Sequence, residues 1–505
     1  MSKFHSTVSR RDFMKAVGLG AAGLGAAGAA APVFHDMDEV IASPQGSAEN
    51  HPWWVKERPY LDSTTEIDWS RMERYEGGYY DHSGPHLEPE ELAKRNKAGS
   101  DLQMKRITEG GEPLKDLRAL AVKATGWLRP YSFITGTESA IGQQKFIEYG
   151  PGAHYIKPPQ MRGVPIWQGT PEENSRMMRT ICRHMGGTSV GFGELIEGKT
   201  KKLVHKSTAD WGPDFRIEFE DVDKPDVENP SPGWKAGLKP GRLVFPNKDK
   251  YVIVVTIRHS LEATRMSPSW ISDGIVGKAY DQIDITQYRI KAFLNMIGYY
   301  GIGGTVYGIT MRPAWGVLTG LGELGRHHEL NTPQWGPMLR TTMAIFTDLP
   351  VKPTNPIDAG MNRFCKICTK CADVCPGLAI PTFEEPDYVI TDPNDTAGNP
   401  DHLKPEIFNN SNGYKRWPLN HFACGQYWKQ TDSYCGICIA ECVFNKYKVQ
   451  SIHELVKPII ANTSLLNGFF FNMDKAYGYG LTPEDQWEEW WNKDHSMTVQ
   501  GDMNY

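Results

Sequence analysis

The chain is predicted to fold as an α+β protein whose C-terminal part is a ferredoxin-like domain with two iron–sulfur clusters. Helical and strand patterns follow one another in mixed order and not as repeated βαβ units, which gives the class. Eight of the nine cysteines fall between Cys365 and Cys442, in two tight groups. The first group runs from Cys365 through Cys368 and Cys371 to Cys375, with Pro376 directly after. That is the C-x2-C-x2-C-x3-C-P run of bacterial ferredoxins.

A chain of 505 residues has room for two or three domains and a large core. Its 40% hydrophobic and 23% charged residues are those of a globular protein, and a net charge of -5 gives no reason to expect nucleic-acid binding. A disulfide framework would spread its cysteines through the fold, and these are clustered. Cys182 stands apart and reads as a small buried apolar residue.

Taken in order, residues 1–42 form a twin-arginine export signal. Ser9-Arg10-Arg11-Asp12-Phe13-Met14-Lys15 precedes a Gly/Ala-rich run, Ala16 to Ala31, too short and small-residued to span a membrane. Gly18, Gly20, Gly23, Gly25 and Gly28 would each weaken a helix there. Cleavage is expected after Ala31 or after Ala42. This route carries proteins already folded, as a chain that receives its cofactors in the cytoplasm requires. The expected location is the outer face of the cytoplasmic membrane, peripherally bound.

Residues 43–165 are polar, rich in Pro and Gly, and poorly periodic, so they read as a mostly irregular region with one helix near Pro113 to Leu128. The core is placed at 166–350. Trp167 to Gly187 reads as a helix, with Thr170 as N-cap, Pro171 at its first position and Met177, Met178, Ile181 and Met185 on one face. Phe215, Ile217 and Phe219 alternate as in a half-exposed strand, and Tyr251 to Ile257 is apolar throughout, as in a strand buried on both faces. A further helix is expected over Ala279 to Tyr300, ending at Gly298. The cluster domain is placed at 351–450 and an extension at 451–505.

The second cysteine group is Cys424, Cys435, Cys438 and Cys442. The crossing rule of two-cluster ferredoxins assigns Cys365, Cys368, Cys371 and Cys442 to one cluster, and Cys375, Cys424, Cys435 and Cys438 to the other. C-x2-C pairs also suit a tetrahedral zinc ribbon, but both groups run on to C-x2-C-x3-C. Gly320, Gly322 and Gly325 match the dinucleotide fingerprint G-x-G-x-x-G, which needs a helix after it. Pro333, Gly336 and Pro337 interrupt the chain there, so the glycines are expected in a tight turn close to some cofactor. His327 and His328 are adjacent and point apart, so they are not read as a metal pair. No H-E-x-x-H, G-x-S-x-G or P-loop motif gives hydrolytic chemistry a foothold.

An export signal, a core of some three hundred residues and a C-terminal pair of cluster motifs together resemble the reductive dehalogenases of organohalide-respiring bacteria. Ser9 to Lys15, Gly320 to Arg326, Thr347 to Pro350 ahead of Pro356-Ile357, and Phe364 to Pro376 carry the resemblance. Met1 to His5 and Ala31 to Asp36 look like the chloroethene-reducing members of Dehalococcoides type. The resemblance implies a nitroreductase-like core holding a base-off cobamide, reduced to Co(I), with two [4Fe-4S] clusters feeding it electrons. It implies a small organohalide as substrate, a chlorinated or brominated alkene, alkane or arene. It also implies a small membrane-anchor protein and a respiratory electron donor as partners, no nucleic acid, and leaves a homodimer open. Segment matching puts the family's proton-donating Tyr on Tyr280 and its neighbouring Arg on Arg340, while a frequent Asn falls on Val306. Two other readings are an exported two-cluster electron-transfer subunit without its own substrate, and a corrinoid reductase acting on tRNA bases.

Overall fold

The computed structural model describes residues 51–52, 54–74, 76–77, 89–127, 156–208, 216–228, 242–303, 309–388, 413–446 and 451–492. The export signal and Val306 lie outside them. The elements used below are helices α1 (Pro89–Glu109), α2 (Leu117–Gly126) and α3 (Pro171–His184), strands β1 (Val190–Glu194) and β2 (Tyr251–Arg258), helix α4 (Trp270–Ile297), strand β3 (Gly301–Gly303), helix α5 (Arg312–Leu318), strand β4 (Leu339–Thr347) and helix α6 (Met361–Ile367).

The centre is an antiparallel sheet in the order β1-β2-β4-β3. Strand β2 explains its continuous apolar sequence by alternation between two cores. Val252 and Val254 pack with Phe245, Trp315 and Phe346 on one face, and Ile253, Val255 and Ile257 with Met178, Cys182, Ile283 and Leu294 on the other. Helices α3 and α4 supply that second face. A second, mixed sheet, containing Arg216–Glu220 and Arg242–Pro246, adds Ile217, Leu243 and Phe245 to the first core.

Helix α3 starts as its sequence indicates. Thr170 accepts from the Glu173 N–H and Glu173 from the Thr170 N–H, a closed capping box ahead of Pro171. Helix α4 begins nine residues before the expected Ala279, at Trp270, because Ser269 caps it by accepting from the Ser272 N–H. Its end at Gly298, in the left-handed region at φ 101°, is the expected one.

Two expectations are corrected. Residues 43–165 contain a 21-residue helix, α1, whose opening Pro89-Glu90-Glu91 is a helix-start signal outweighed by the lack of an apolar stripe. The stretch after Gly298 also holds the nine-residue strand β4, whose Thr341-Thr342 and Ile345-Phe346-Thr347 suit a pleated, buried strand. The extension 451–492 packs back on the molecule, with Ile460, Ala461 and Phe470 against the cysteines and Trp487 against Leu114, Ala119 and Ile271.

Asp249 is fully buried and accepts a hydrogen bond from the Tyr300 hydroxyl. Burial first, and the neighbouring Asp348 carboxyl with it, push its pKa up to about 7 against the pull of that bond. Between about pH 4 and 7 the native state therefore keeps a proton that the unfolded chain releases, so stability falls as pH rises through that window. Asp249→Asn is expected to abolish this decline, worth about 1–4 kcal/mol. Urea midpoints at pH 5 and pH 8 check it, and an unchanged difference between them in the variant would show that Asp249 is not the group responsible.

Candidate active site

All nine cysteines are free thiols, and the fold sorts eight of them into two sets. Cys365, Cys368, Cys371 and Cys442 influence one another electrostatically, as do Cys375, Cys424, Cys435 and Cys438. The two sets adjoin through Cys371 and Cys438. Burial is the main force pushing the thiols up, Cys368 to about 11 and Cys435 and Cys442 to about 12. Backbone N–H groups oppose it: Lys370 donates to Cys368, Ile437 to Cys435 and Phe444 to Cys442. Ala379 likewise donates to the Cys375 Sγ at 3.3 Å. Donors aimed at sulfur suit thiolate ligands, which only accept. Among the described residues no three His, Cys, Asp or Glu side chains converge on a position for a single metal ion.

A cavity open to solvent lies between α4 and the second set. Cys375, Cys424, Cys435 and Cys438 form one wall and Tyr280 belongs to another. None of the first set lines it. Tyr280 is 6% exposed, and its ring lies 5.9 Å from that of Trp127. Trp127 in turn donates from Nε1 to the Asp273 Oδ1 at 2.7 Å. Both positions depend on a backbone-to-backbone crossing of α2 and α4, since a Cβ on Gly126 would sit 2.1 Å from the Gly274 carbonyl oxygen. A side chain there would push Trp127 off Tyr280.

Arg340 lies in β4, and its side chain is outside the described residues. The strand's register slips between Leu339 and Thr342, around Arg340, and both of these flanking residues line the cavity. Such bulges commonly re-aim a side chain beside an active site.

The glycine motif has a structural explanation. Glu323–Leu324 pairs with Leu330–Asn331 in a short hairpin, and a Cβ at Gly320 or Gly322 would meet the carbonyl oxygen of Asn355 or Asn331 at 2.1 Å. A Cβ at Gly325 would meet the Asn331 amide at 2.5 Å. None of the three lines the cavity, and each stands where the chain approaches itself too closely for a Cβ. His328 lines the cavity, with Nε2 3.0 Å from the Tyr414 hydroxyl, and burial pushes it down to about 3.

Sequence reasoning missed two charged residues in that motif. Glu323, fully buried, accepts from the N–H groups of Ala359, Met361 and Asn362 at the start of α6, the helix carrying Cys365. Arg326, also fully buried, donates at the other end to the carbonyl oxygens of Cys365, Lys366 and Cys368, and further to Pro381 and Phe383. Its guanidinium stacks 4.7 Å above the Trp417 ring. Burial pulls Arg326 down, and the anions that counter this are the thiols of Cys365, Cys371 and Cys368, then Asp373. An acid at the N-terminus and a cation at the C-terminus complement the α6 dipole.

A family model described as reductive dehalogenase subunit matches residues 50–351. The chain belongs to the reductive dehalogenase family. It is 30% identical to a chloroethene reductive dehalogenase of Dehalococcoides mccartyi strain VS over 98% of each chain, and 28% identical to a trichloroethene reductive dehalogenase of Dehalococcoides mccartyi strain 195, again over 98% of each. Among solved structures, the catabolic reductive dehalogenase NpRdhA in complex with 3-bromo-4-hydroxybenzoic acid superposes with a TM-score of 0.57 at 19% identity, over 89% of this chain and 52% of that one. Another reductive dehalogenase structure, described as suggesting a mechanism for B12-dependent dehalogenation, gives 0.56 at 17% identity, again over 89% of this chain and 52% of that one. The dehalogenase thus shares the family's mixed helix-and-strand fold, spanning about half the length of those solved chains.

Proposed function

We propose that this chain reductively removes halide from a small chlorinated or brominated organic compound, with a base-off corrinoid in the cavity beside Tyr280 and a [4Fe-4S] cluster on each cysteine set. The observation that carries the reading is the cavity itself, which sets a buried phenol and four thiols around one space. The structure described as suggesting a mechanism for B12-dependent dehalogenation supports the same cofactor, and the names of the relatives support the same reaction.

The net reaction is R–X + 2e⁻ + H⁺ → R–H + X⁻. When bound, the corrinoid supplies the low-potential metal centre at which the carbon–halogen bond is reduced. Tyr280 holds the proton that the carbon receives, and its burial against Trp127 fixes where that proton is delivered. Arg340, on the bulged strand, lowers the cost of the tyrosinate left behind or of the departing halide. Leu330, Leu339 and Ile439 give the cavity apolar walls that keep water from the reacting carbon. Electrons enter at the first set and pass through the second, since only the second faces the cavity.

In this reading residues 166–350 are a nitroreductase-like core and 351–450 a ferredoxin-like domain. The export signal places the enzyme on the outer face of the cytoplasmic membrane. Among the described residues no helix is long and apolar enough to cross a membrane, which fits a role for a separate membrane-anchor protein in docking it near its electron donor.

Protein reconstituted with cobamide is expected to contain about eight iron, eight sulfide and one cobalt per chain and to release halide from chlorinated or brominated ethenes, propanes or benzenes with reduced methyl viologen. Full activity without cobalt would defeat the reading. Iron and sulfide at that level with no cobalt bound and no halide released would favour the electron-transfer subunit.

A further inference from the structure

His327 and Asn331 present a mismatch between two buried groups. His327 is 3% exposed and lines the cavity; Asn331 is fully buried. The His327 Nδ1 accepts from the Glu329 N–H at 3.2 Å, so in the neutral ring the proton is on Nε2. That Nε2 makes no well-formed hydrogen bond, although the Asn331 side chain lies close enough to support a proton on the ring. The Asn331 Nδ2 is also without a partner, while Oδ1 faces the Sγ of Cys442 at 3.9 Å. The amide thus lies between the imidazole and the sulfur, with its oxygen toward Sγ and its Nδ2 unused.

The arrangement suits Cys442 only while it keeps its hydrogen. A cluster ligand is a thiolate, and a thiolate opposite a carbonyl oxygen sets two acceptors together. Turning the amide by half a rotation changes its shape very little and resolves every mismatch. Nδ2–H then points at Sγ, and Oδ1 receives the His327 Nε2–H. Each buried orphan so removed would otherwise cost the molecule its full desolvation penalty. The turn has room because Gly325 has no side chain: a Cβ there would sit 2.5 Å from the Asn331 Nδ2 and 3.1 Å from the His327 Nε2.

We infer that Asn331 is a positioning residue that donates an N–H···S hydrogen bond to Cys442 when the first cluster is present, held in that orientation by His327 from the cavity wall. The inference rests on the proposed cluster at Cys365, Cys368, Cys371 and Cys442. An amide donor to a ligand sulfur stabilises the more negative, reduced cluster, so Asn331 raises that centre's reduction potential. His327, with one face on the cavity, makes the potential of a cluster that does not touch the cavity respond to what fills it.

The test is an EPR-monitored redox titration of the reconstituted holoenzyme and its Asn331→Leu variant, with iron counted in both. The expected result is one midpoint lowered by the equivalent of about a tenfold change in the reduction equilibrium, about 59 mV for one electron, with the other unmoved. His327→Gln, which keeps a donor for Oδ1, is expected to restore most of the potential that His327→Leu loses. Both midpoints unchanged at full iron content would overturn the inference and leave the cluster assignment standing. Iron near four per chain in the unmodified protein would overturn the assignment itself. Should Asn331→Leu fail to load the first cluster, the native enzyme decides. Pulsed EPR on protein labelled with ¹⁵N in its asparagine side-chain amides shows a coupling to a reduced cluster if the amide nitrogen faces sulfur; its absence overturns the inference.

Discussion

Tyr280→Phe is expected to lower halide release by about 10²–10⁴-fold while leaving cobalt and iron content unchanged, the range lost with a positioned proton donor. The substitution removes one oxygen and keeps the ring that packs 5.9 Å from Trp127, so the crossing of α2 and α4 should survive. The carbon must still be protonated, and with the phenol gone the proton must come from water that the apolar walls hold off. Halide release under single-turnover conditions, in H₂O and D₂O, measures the effect. A rate within threefold of the parent enzyme would remove Tyr280 from the mechanism. Where the rate does fall, a solvent isotope effect that changes with the substitution ties the loss to proton delivery and not to substrate fit.

The second large effect belongs to Arg326. Arg326→Leu leaves the carbonyl oxygens of Cys365, Lys366, Cys368 and Pro381 without this donor, while that of Phe383 keeps the Trp417 indole N–H, and it removes the cation beside the first cysteine set. Each unsatisfied carbonyl costs about 1–3 kcal/mol, and partial repair by water leaves a total near 3–5 kcal/mol. The expected outcome is protein with about four iron per chain in place of eight, since α6 and its cysteines lose their hold. Arg326→Lys should recover little, because three donors on a flexible stem cannot reproduce a planar fork spread over five acceptors. Iron analysis with thermal unfolding decides: full iron and an unchanged melting temperature in Arg326→Leu would mean that the clamp is dispensable.

The cysteine sets were legible in the sequence because ligand spacing is itself the chemistry, and a local repeat needs no knowledge of distant contacts. The crossing of Cys375 and Cys442 between sets follows from the same rule, and the structure groups the thiols that way. Tyr280 had no local signal; only the resemblance singled it out, and the cavity is what gives it a chemical setting. Glu323 and Arg326 were invisible for a different reason. Their partners lie 36 to 57 residues away, so nothing within a few positions marks them as buried. The glycines around them drew attention as a dinucleotide fingerprint, although a Cβ at Gly320 or Gly322 would meet the carbonyl oxygen of Asn355 or Asn331. Helix α1 failed for lack of an apolar stripe, and strand β4 because proline punctuation before it masked a β-branched run.

The exchange of cysteines between sets has a consequence for how the centres are spaced. Cys371 and Cys375 belong to different sets, as do Cys438 and Cys442, and each pair is separated by three residues. Cys371 lies in the turn Lys370–Asp373 and Cys438 in the helix Ile437–Glu441, with Cys442 capping the latter. In the proposed two-cluster reading, these two short links keep a thiol of one set within a few residues of a thiol of the other, and so hold the two centres close together. A gap held by covalent geometry at two places cannot widen when the cavity is remodelled. In that reading the walls of the cavity can change while the electron hop between the two centres keeps the same length.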